Sequence, residues 1–220
     1  MDGGPEYRTI DKEEKRPETG GCVGMAQRKS LNGKEVLALL LYLPGKTGKL
    51  CEPIMGRTRL VKTMFLFTKE MQPQLTKKGW ELTLPDFTAY DYGPFSVDVL
   101  NDIETLRALG IVTVDVVPES EPFGVLDDLN DQEYQHGIGG AVERQFMDRY
   151  QLTPQGEGFC RDVLKPRFTS DEQWTALSEF KKRCNSVSLT ALLRYVYTRY
   201  PDYTANSKIR DQVLKYETLS

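Results

Sequence analysis

A chain of 220 residues with 39% hydrophobic content and a formal net charge of −3 has the composition of a globular protein, and its length suits one large domain or two small ones. Its longest unbroken apolar run, Val36 to Leu43, is eight residues against the roughly 20 that span a bilayer. The opening stretch MDGGPEYRTIDKEEKRPETGG carries charges where a secretory signal needs an apolar region, so neither a transmembrane nor a secreted protein is expected, and the location read from the sequence is cytoplasmic.

Residues 1–30 mix charge, Gly and Pro without periodicity and read as a tail that buries too little apolar surface to offset its ordering entropy. A short, strongly apolar helix is predicted from Lys34 to Leu43, stopped by Pro44 and Gly45. The loop PGKTGK that follows has a Walker-like ending, but Leu40 stands where that pattern needs glycine and Pro53 follows in place of a helix, so a basic turn is expected. A second helix is predicted from Arg57 to about Met71, with Leu60, Met64, Phe67 and Met71 inward and Lys62 and Lys69 outward.

Tyr90 to Gly110, YDYGPFSVDVLNDIETLRALG, predicts an extended segment, a sharp turn and a complete helix. Pro94 turns Gly93 away from helical angles, Ser96 is suited to N-cap, Asp98 to the positive end of the helix dipole, and Phe95 to staple onto Leu100. Val99, Ile103 and Leu106 form the inward stripe, Asp98, Asn101, Asp102 and Thr105 share the opposite face, and Gly110 ends the helix. The motif of Tyr90, Tyr92, Gly93, Pro94, Phe95, Ser96 and Gly110 therefore reads as structural. Ser96 in G-P-F-S-V does not match the nucleophile elbow, and no base stands near it in sequence.

Strands are predicted at Ile111–Val117 and Arg144–Leu152, separated by an acidic excursion across 115–143, and no Lys or Arg occurs from Ala108 to Glu143. Thr153 and Pro154 suit N-cap and N1 of a fourth helix ending near Leu164. Ser170 and Gln173 suggest a capping box for a helix through about Lys182. Ser188 opens another, with Leu189, Leu192, Leu193, Val196 and Tyr200 on its apolar face, and a last helix is predicted from about Ser207 to Tyr216.

The turn YDYGPFS leading to a helix that ends in LRALGIV resembles the Panacea/SocA-like phage-associated and antitoxin-type proteins and the YwgA-like winged-helix proteins. GRTRLVKTMFLF (Gly56 to Phe67), YQLTPQGEGF (Tyr150 to Phe159) and SLTALLRYVYTRYPDYTANSKI (Ser188 to Ile209) carry the resemblance across residues 33 to 209. It implies a regulatory or partner-binding protein and names no substrate, partner or operator. With the order of elements, it gives an α+β, mostly helical fold: a winged-helix-like domain over 31–165 with a small antiparallel hairpin as wing, and a C-terminal helical extension over 166–220.

Chemistry-bearing residues are sparse. Cys22, Cys51, Cys160 and Cys184 form no C-x-x-C pair and His136 is the single histidine, so reduced thiols and no metal or cofactor are expected. Asp127, Asp128, Asp131 and Glu133 lack calcium-loop spacing and, with Asp98 and Asp102, are candidates for meeting a basic protein partner. Arg57, Arg59, Lys62, Arg194, Arg199, Lys208 and Arg210, the C-terminal ones interleaved with Tyr195, Tyr197, Tyr200 and Tyr203, are the nucleic-acid candidates. A winged helix normally lays its third helix in the major groove, and here that helix carries Asp98, Asp102 and Glu104 against Arg107 alone. The leading reading is a non-enzymatic protein-binding regulator. The alternatives are a DNA-binding winged-helix regulator acting as a homodimer on two half-sites, and an enzyme with an unrecognised site.

Overall fold

The computed structural model describes residue 1, residues 29–118 and residues 146–215. Residues 2–28, the candidates Asp127, Asp128, Asp131 and Glu133, and also Cys22 and His136, lie outside the described residues.

The apolar run forms α1 (Gly33–Tyr42), opened by a reciprocal box in which the Asn32 side chain accepts the Glu35 N–H and the Glu35 carboxylate accepts the Asn32 N–H, both at 3.0 Å. Val36 to Leu43 are all buried, as a helix that is apolar on every side must be. Strand β1 (Ser30–Asn32) pairs in parallel with β3 (Glu81–Thr83), and β2 (Ile54–Met55) precedes α2 (Arg57–Leu66). The expected stop of α2 near Met71 is not a stop. One π turn, Phe67–Met71, carries the chain into α3 (Gln72–Lys77).

Strands β4 (Thr88–Tyr90) and β5 (Gly93–Phe95) form a hairpin whose two-residue turn is Asp91–Tyr92, and α4 (Val97–Ala108) follows at once. As expected, Val99, Ile103 and Leu106 are its buried stripe and Gly110, at φ 69°, ends it. β6 (Val112–Pro118) and β7 (Phe146–Leu152) pair antiparallel from Val112↔Leu152 to Pro118↔Phe146, and β2 joins the far edge of β7, giving the order β2-β7-β6.

Thr153 caps α5 (Pro154–Phe159), its hydroxyl accepting the Gly156 N–H at 3.0 Å, and a π turn and a 3₁₀ turn complete the segment through Arg167. Then come α6 (Asp171–Ser186), α7 (Leu189–Arg199), capped by Ser188, and α8 (Arg210–Lys215). Ser170 precedes α6 without any side-chain cap bond, so the expected box with Gln173 is not made; the Gln173 N–H is taken by the Ser170 carbonyl and Gln173 itself is buried. Apolar residues on both sides of position 165, from Leu31 to Val213, join a single hydrophobic core. Among the described residues no helix is long and apolar enough to cross a membrane.

Candidate functional site

The turn before α4 is held from three directions. From α2, the Lys62 ammonium donates to the Tyr92 carbonyl at 2.7 Å and to the Pro94 carbonyl at 2.9 Å. From the C-terminal segment, the Lys208 N–H and the Ser207 hydroxyl both donate to the Asp91 carbonyl, and the Lys208 ammonium pairs with the Asp91 carboxylate. From α7, the Tyr197 ring closes over Gly93, and its hydroxyl bonds the Ser207 hydroxyl at 2.7 Å. Gly93 sits at φ 83°, and a Cβ there would stand 2.9 Å from the Tyr197 ring, so both backbone angle and space require glycine. Tyr90 and Phe95 stack across the hairpin with ring centroids 5.3 Å apart.

Several sequence candidates are corrected by this geometry. Lys62 does not point outward. It is 3% exposed, because the helix face opposite Leu60 and Met64 is covered by β5 and α7 instead of solvent. Arg59, 7% exposed, donates to the Cys184 and Val187 carbonyls at the end of α6, where a cation complements the helix dipole. Lys69 is turned inward onto Tyr203, its ammonium 2.7 Å from the hydroxyl and 4.3 Å from the ring centre. Ser96 occupies the N-cap position of α4 but makes no cap bond; it is 4% exposed and its hydroxyl has no partner among the described residues. No Ser–Lys pair is formed either, since Lys62 is bonded to carbonyls.

Asp102 also departs from expectation. Its side chain is 14% exposed, pairs with Lys34 at 2.7 Å, and packs so closely on Gly33 that a Cβ there would collide with it, which places a carboxylate at the positive end of α1. What α4 does expose is Val97, Asp98, Asn101, Glu104, Thr105 and Ala108, with Arg107 bonded to Glu104 and Leu109 at the end. Of the basic candidates, Arg57, Arg199, Lys208 and Arg210 are exposed and Arg194 is half-buried. Tyr197, Tyr200 and Tyr203 are committed to internal contacts, Tyr200 and Tyr203 edge-on to Phe65, leaving Tyr195 as the exposed ring of that set.

The PGKTGK turn wraps a carboxylate of its own chain. Glu52 accepts the Lys46 and Thr47 N–H groups, both at 2.6 Å, together with the Thr47 hydroxyl and the Asn185 amide. Burial raises the Glu52 pKa, but these donors outweigh it and the net shift is downward. Beneath it Lys181, fully buried on α6, donates to the Glu52 carbonyl at 3.2 Å. Burial pushes both Lys62 and Lys181 down to about 7. Sequence reasoning missed Lys181, Glu52 and Ser207, and Lys181, which stands beside Lys182 and Arg183 in the sequence, carried no signal of its burial. Cys51, Cys160 and Cys184 are free thiols, and the described residues contain no group of three or more His, Cys, Asp and Glu side chains able to hold a metal.

These features define a mostly helical α+β protein in which one turn is clamped between α2 and the C-terminal segment and the following helix shows a mixed polar and acidic face. Compared with known proteins, the chain matches no family model and no curated sequence.

Proposed function

We propose that this is a non-enzymatic winged-helix-type regulator that binds a protein partner through the exposed face of α4, in the manner of an antitoxin or adaptor. Support for the winged-helix part comes from the succession α1, β2, α2, α4, β6, β7 with the sheet order β2-β7-β6, in which β6 and β7 are the wing, and from the resemblance carried by YDYGPFS and the segments around it. The observation that carries the partner reading is the composition of the α4 face. Asp98 and Glu104 stand where a groove-reading helix would approach phosphates, while Val97, Ala108 and Leu109 offer apolar contact. Two of the expected phosphate-binding cations, Arg59 and Lys62, are spent on internal carbonyls.

A DNA-contacting alternative rests on the exposed Arg199, Lys208 and Arg210 near the C-terminal end. Two measurements separate the readings. Fluorescence anisotropy with random duplex DNA at low salt is expected to show no saturable binding, and salt-sensitive binding lost on Arg199→Ala/Arg210→Ala would favour the DNA reading. Affinity capture with wild-type protein and with Asn101→Arg/Ala108→Arg, compared by mass spectrometry, is expected to show at least one protein retained only by the wild type; identical captures would sink the α4 reading.

A further inference from the structure

The carbonyl oxygens of Ala38 and Tyr42 stand one turn apart on the same side of α1, and a cysteine is fastened to each. The Cys160 thiol donates to the Ala38 carbonyl at 3.5 Å, and the Cys51 N–H donates to the Tyr42 carbonyl at 2.9 Å. Four residues of α-helix rise about 6 Å, so the two anchor points are separated by roughly the 4–7 Å that divides the Cα atoms of a disulfide. Both side chains lean on the same core, Cys160 fully buried in it and Cys51 half-buried against it. Burial raises the pKa of Tyr42, and Cys51, Glu157 and Cys160 raise it further, which places both thiols beside that ring. Cys160 is pushed up to about 12, by burial first and then by Cys51, so the two thiols also act on one another.

Among the described residues Cys51 is also the one residue other than glycine with a positive φ, at 59°. That region costs any residue with a Cβ, whereas glycine occupies it freely. A strained position that carries sulfur where glycine would fit gives the thiol itself a purpose. Cys160 stands at a second irregular place, the first residue of the π turn Cys160–Leu164. Cys184 supplies the contrast: it is buried in α6, and no other thiol is among the groups that act on it.

We propose that Cys51 and Cys160 are a redox pair that closes to an intramolecular disulfide, tying the loop after α1 to the turn after α5. The oxidant is a small-molecule disulfide of the glutathione type. The Cys51 thiol gives up its proton and attacks one sulfur of that molecule, forming a mixed disulfide and releasing one glutathione. Cys160 then loses its proton and attacks the Cys51 sulfur, and the second glutathione departs. Two protein thiols become one disulfide, and one glutathione disulfide becomes two glutathiones. Half-buried Cys51 meets the reagent, while Cys160 needs no path to solvent because its attack is internal. Burial holds both thiols protonated at neutral pH, so the exchange is slow and quickens as pH rises. In the reduced chain this loop is fastened to α6 by the polar contacts of Glu52 and Pro53 with Lys181 and Asn185. Oxidation adds a covalent tie on the α5 side and makes the loop a fixed part of the core.

The test equilibrates the full chain in glutathione buffers of rising disulfide content, traps free thiols with N-ethylmaleimide under denaturing conditions, and maps tryptic peptides by mass spectrometry without reduction. Expected is a linked pair of peptides, Leu50–Arg57 joined to Tyr150–Arg161, within one chain. It should form at a glutathione disulfide level at least about tenfold below that needed by the chain unfolded in urea, because the fold holds the two sulfurs at a high effective concentration. Cys51→Ser should abolish the link and Cys184→Ser should leave it unchanged. Cys51 is a half-buried loop residue, so its serine variant should keep the wild-type circular dichroism, and the peptide map of the unaltered chain decides the matter independently of any variant. Absence of the linked pair, a lasting glutathione adduct on Cys51 with Cys160 still free, a bond to Cys22 or Cys184 instead, linkage only between chains, or linkage that forms no more readily in the folded chain than in urea would overturn the assignment.

Discussion

Lys62 and Lys181 are held by carbonyl oxygens in places where their charged forms are poorly solvated, and burial brings each from an ordinary 10.5 down to about 7. A lysine with a depressed folded pKa is protonated in the unfolded chain and neutral in the native one between those two values. The unfolded state then binds more protons, and stability rises with pH, by at most about 1.4 kcal/mol per unit for each such group. The contribution is full above pH 10.5 and is lost as pH falls through 7. Buried thiols and phenols work in the opposite sense at higher pH: burial pushes Cys184 up to about 11 and Cys160 and Tyr197 up to about 12, so their contribution is lost as pH climbs past their unfolded values. Urea denaturation from pH 6 to 10 should therefore show stability rising between 7 and about 9 and flattening or falling beyond, with a shallower rise in Lys62→Met; a flat profile across 7 to 9 would contradict the buried-lysine account. Gly93 gives a second expectation at this scale. Gly93→Ala places a Cβ at φ 83° and 2.9 Å from Tyr197, and should cost on the order of 1–3 kcal/mol, read as a lower melting temperature.

Helix starts separate what the chain announces from what packing decides. Asn32, Thr153 and Ser188 cap α1, α5 and α7 with side-chain bonds, whereas Ser96 and Ser170 occupy the same position with the same kind of side chain and make none. The expected result is a contrast. Thr153→Ala, which loses a cap and the 2.6 Å bond to the Gly110 carbonyl, should cost about 1 kcal/mol or more, while Ser96→Ala should be close to neutral because only an unpartnered hydroxyl is removed. Equal losses in chemical denaturation would show that Ser96 caps after all. Much of this scale was legible in the sequence. The α4 stripe, its glycine stop and the strands Val112–Pro118 and Phe146–Leu152 follow, within a residue or two at their ends, from periods of 3.6 and 2. Three-residue strands such as β1 and β3 are too short to show a period, and the π turns at Phe67–Met71 and Cys160–Leu164 leave no pattern at all. The reversal at Lys62 has a different cause. Periodicity finds the face that must be buried, but it is silent on whether the opposite face is also covered, and here β5 and α7 cover it.

At the scale of the molecule the C-terminal helices are part of the core that the earlier elements build. Leu177 and Phe180 of α6, Leu192, Leu193, Val196 and Tyr197 of α7, and Ile209 and Val213 beyond them are buried in the same cluster as α1 and α2. The polar contacts that cross from one half of the chain to the other run the same way: Arg59 to the end of α6, Arg167 to Glu35 at 2.8 Å, Arg183 to Glu70, and Lys208 to Asp91. Removing residues 166–220 would leave Phe65 and Phe67 facing water on one side and strip Tyr197, Ser207 and Lys208 from the YDYGPF turn. Large apolar side chains lost from such a core cost about 2–5 kcal/mol each, and only a few would exceed the 5–15 kcal/mol by which a typical domain is stable. A fragment of residues 1–165 should therefore show no cooperative thermal transition by circular dichroism, whereas the whole chain should unfold in one step with coincident far-ultraviolet and tryptophan-fluorescence curves. A fragment that melts cooperatively, or two resolved transitions in the whole chain, would mean that the shared core is divisible and that the C-terminal helices dock onto a domain already complete.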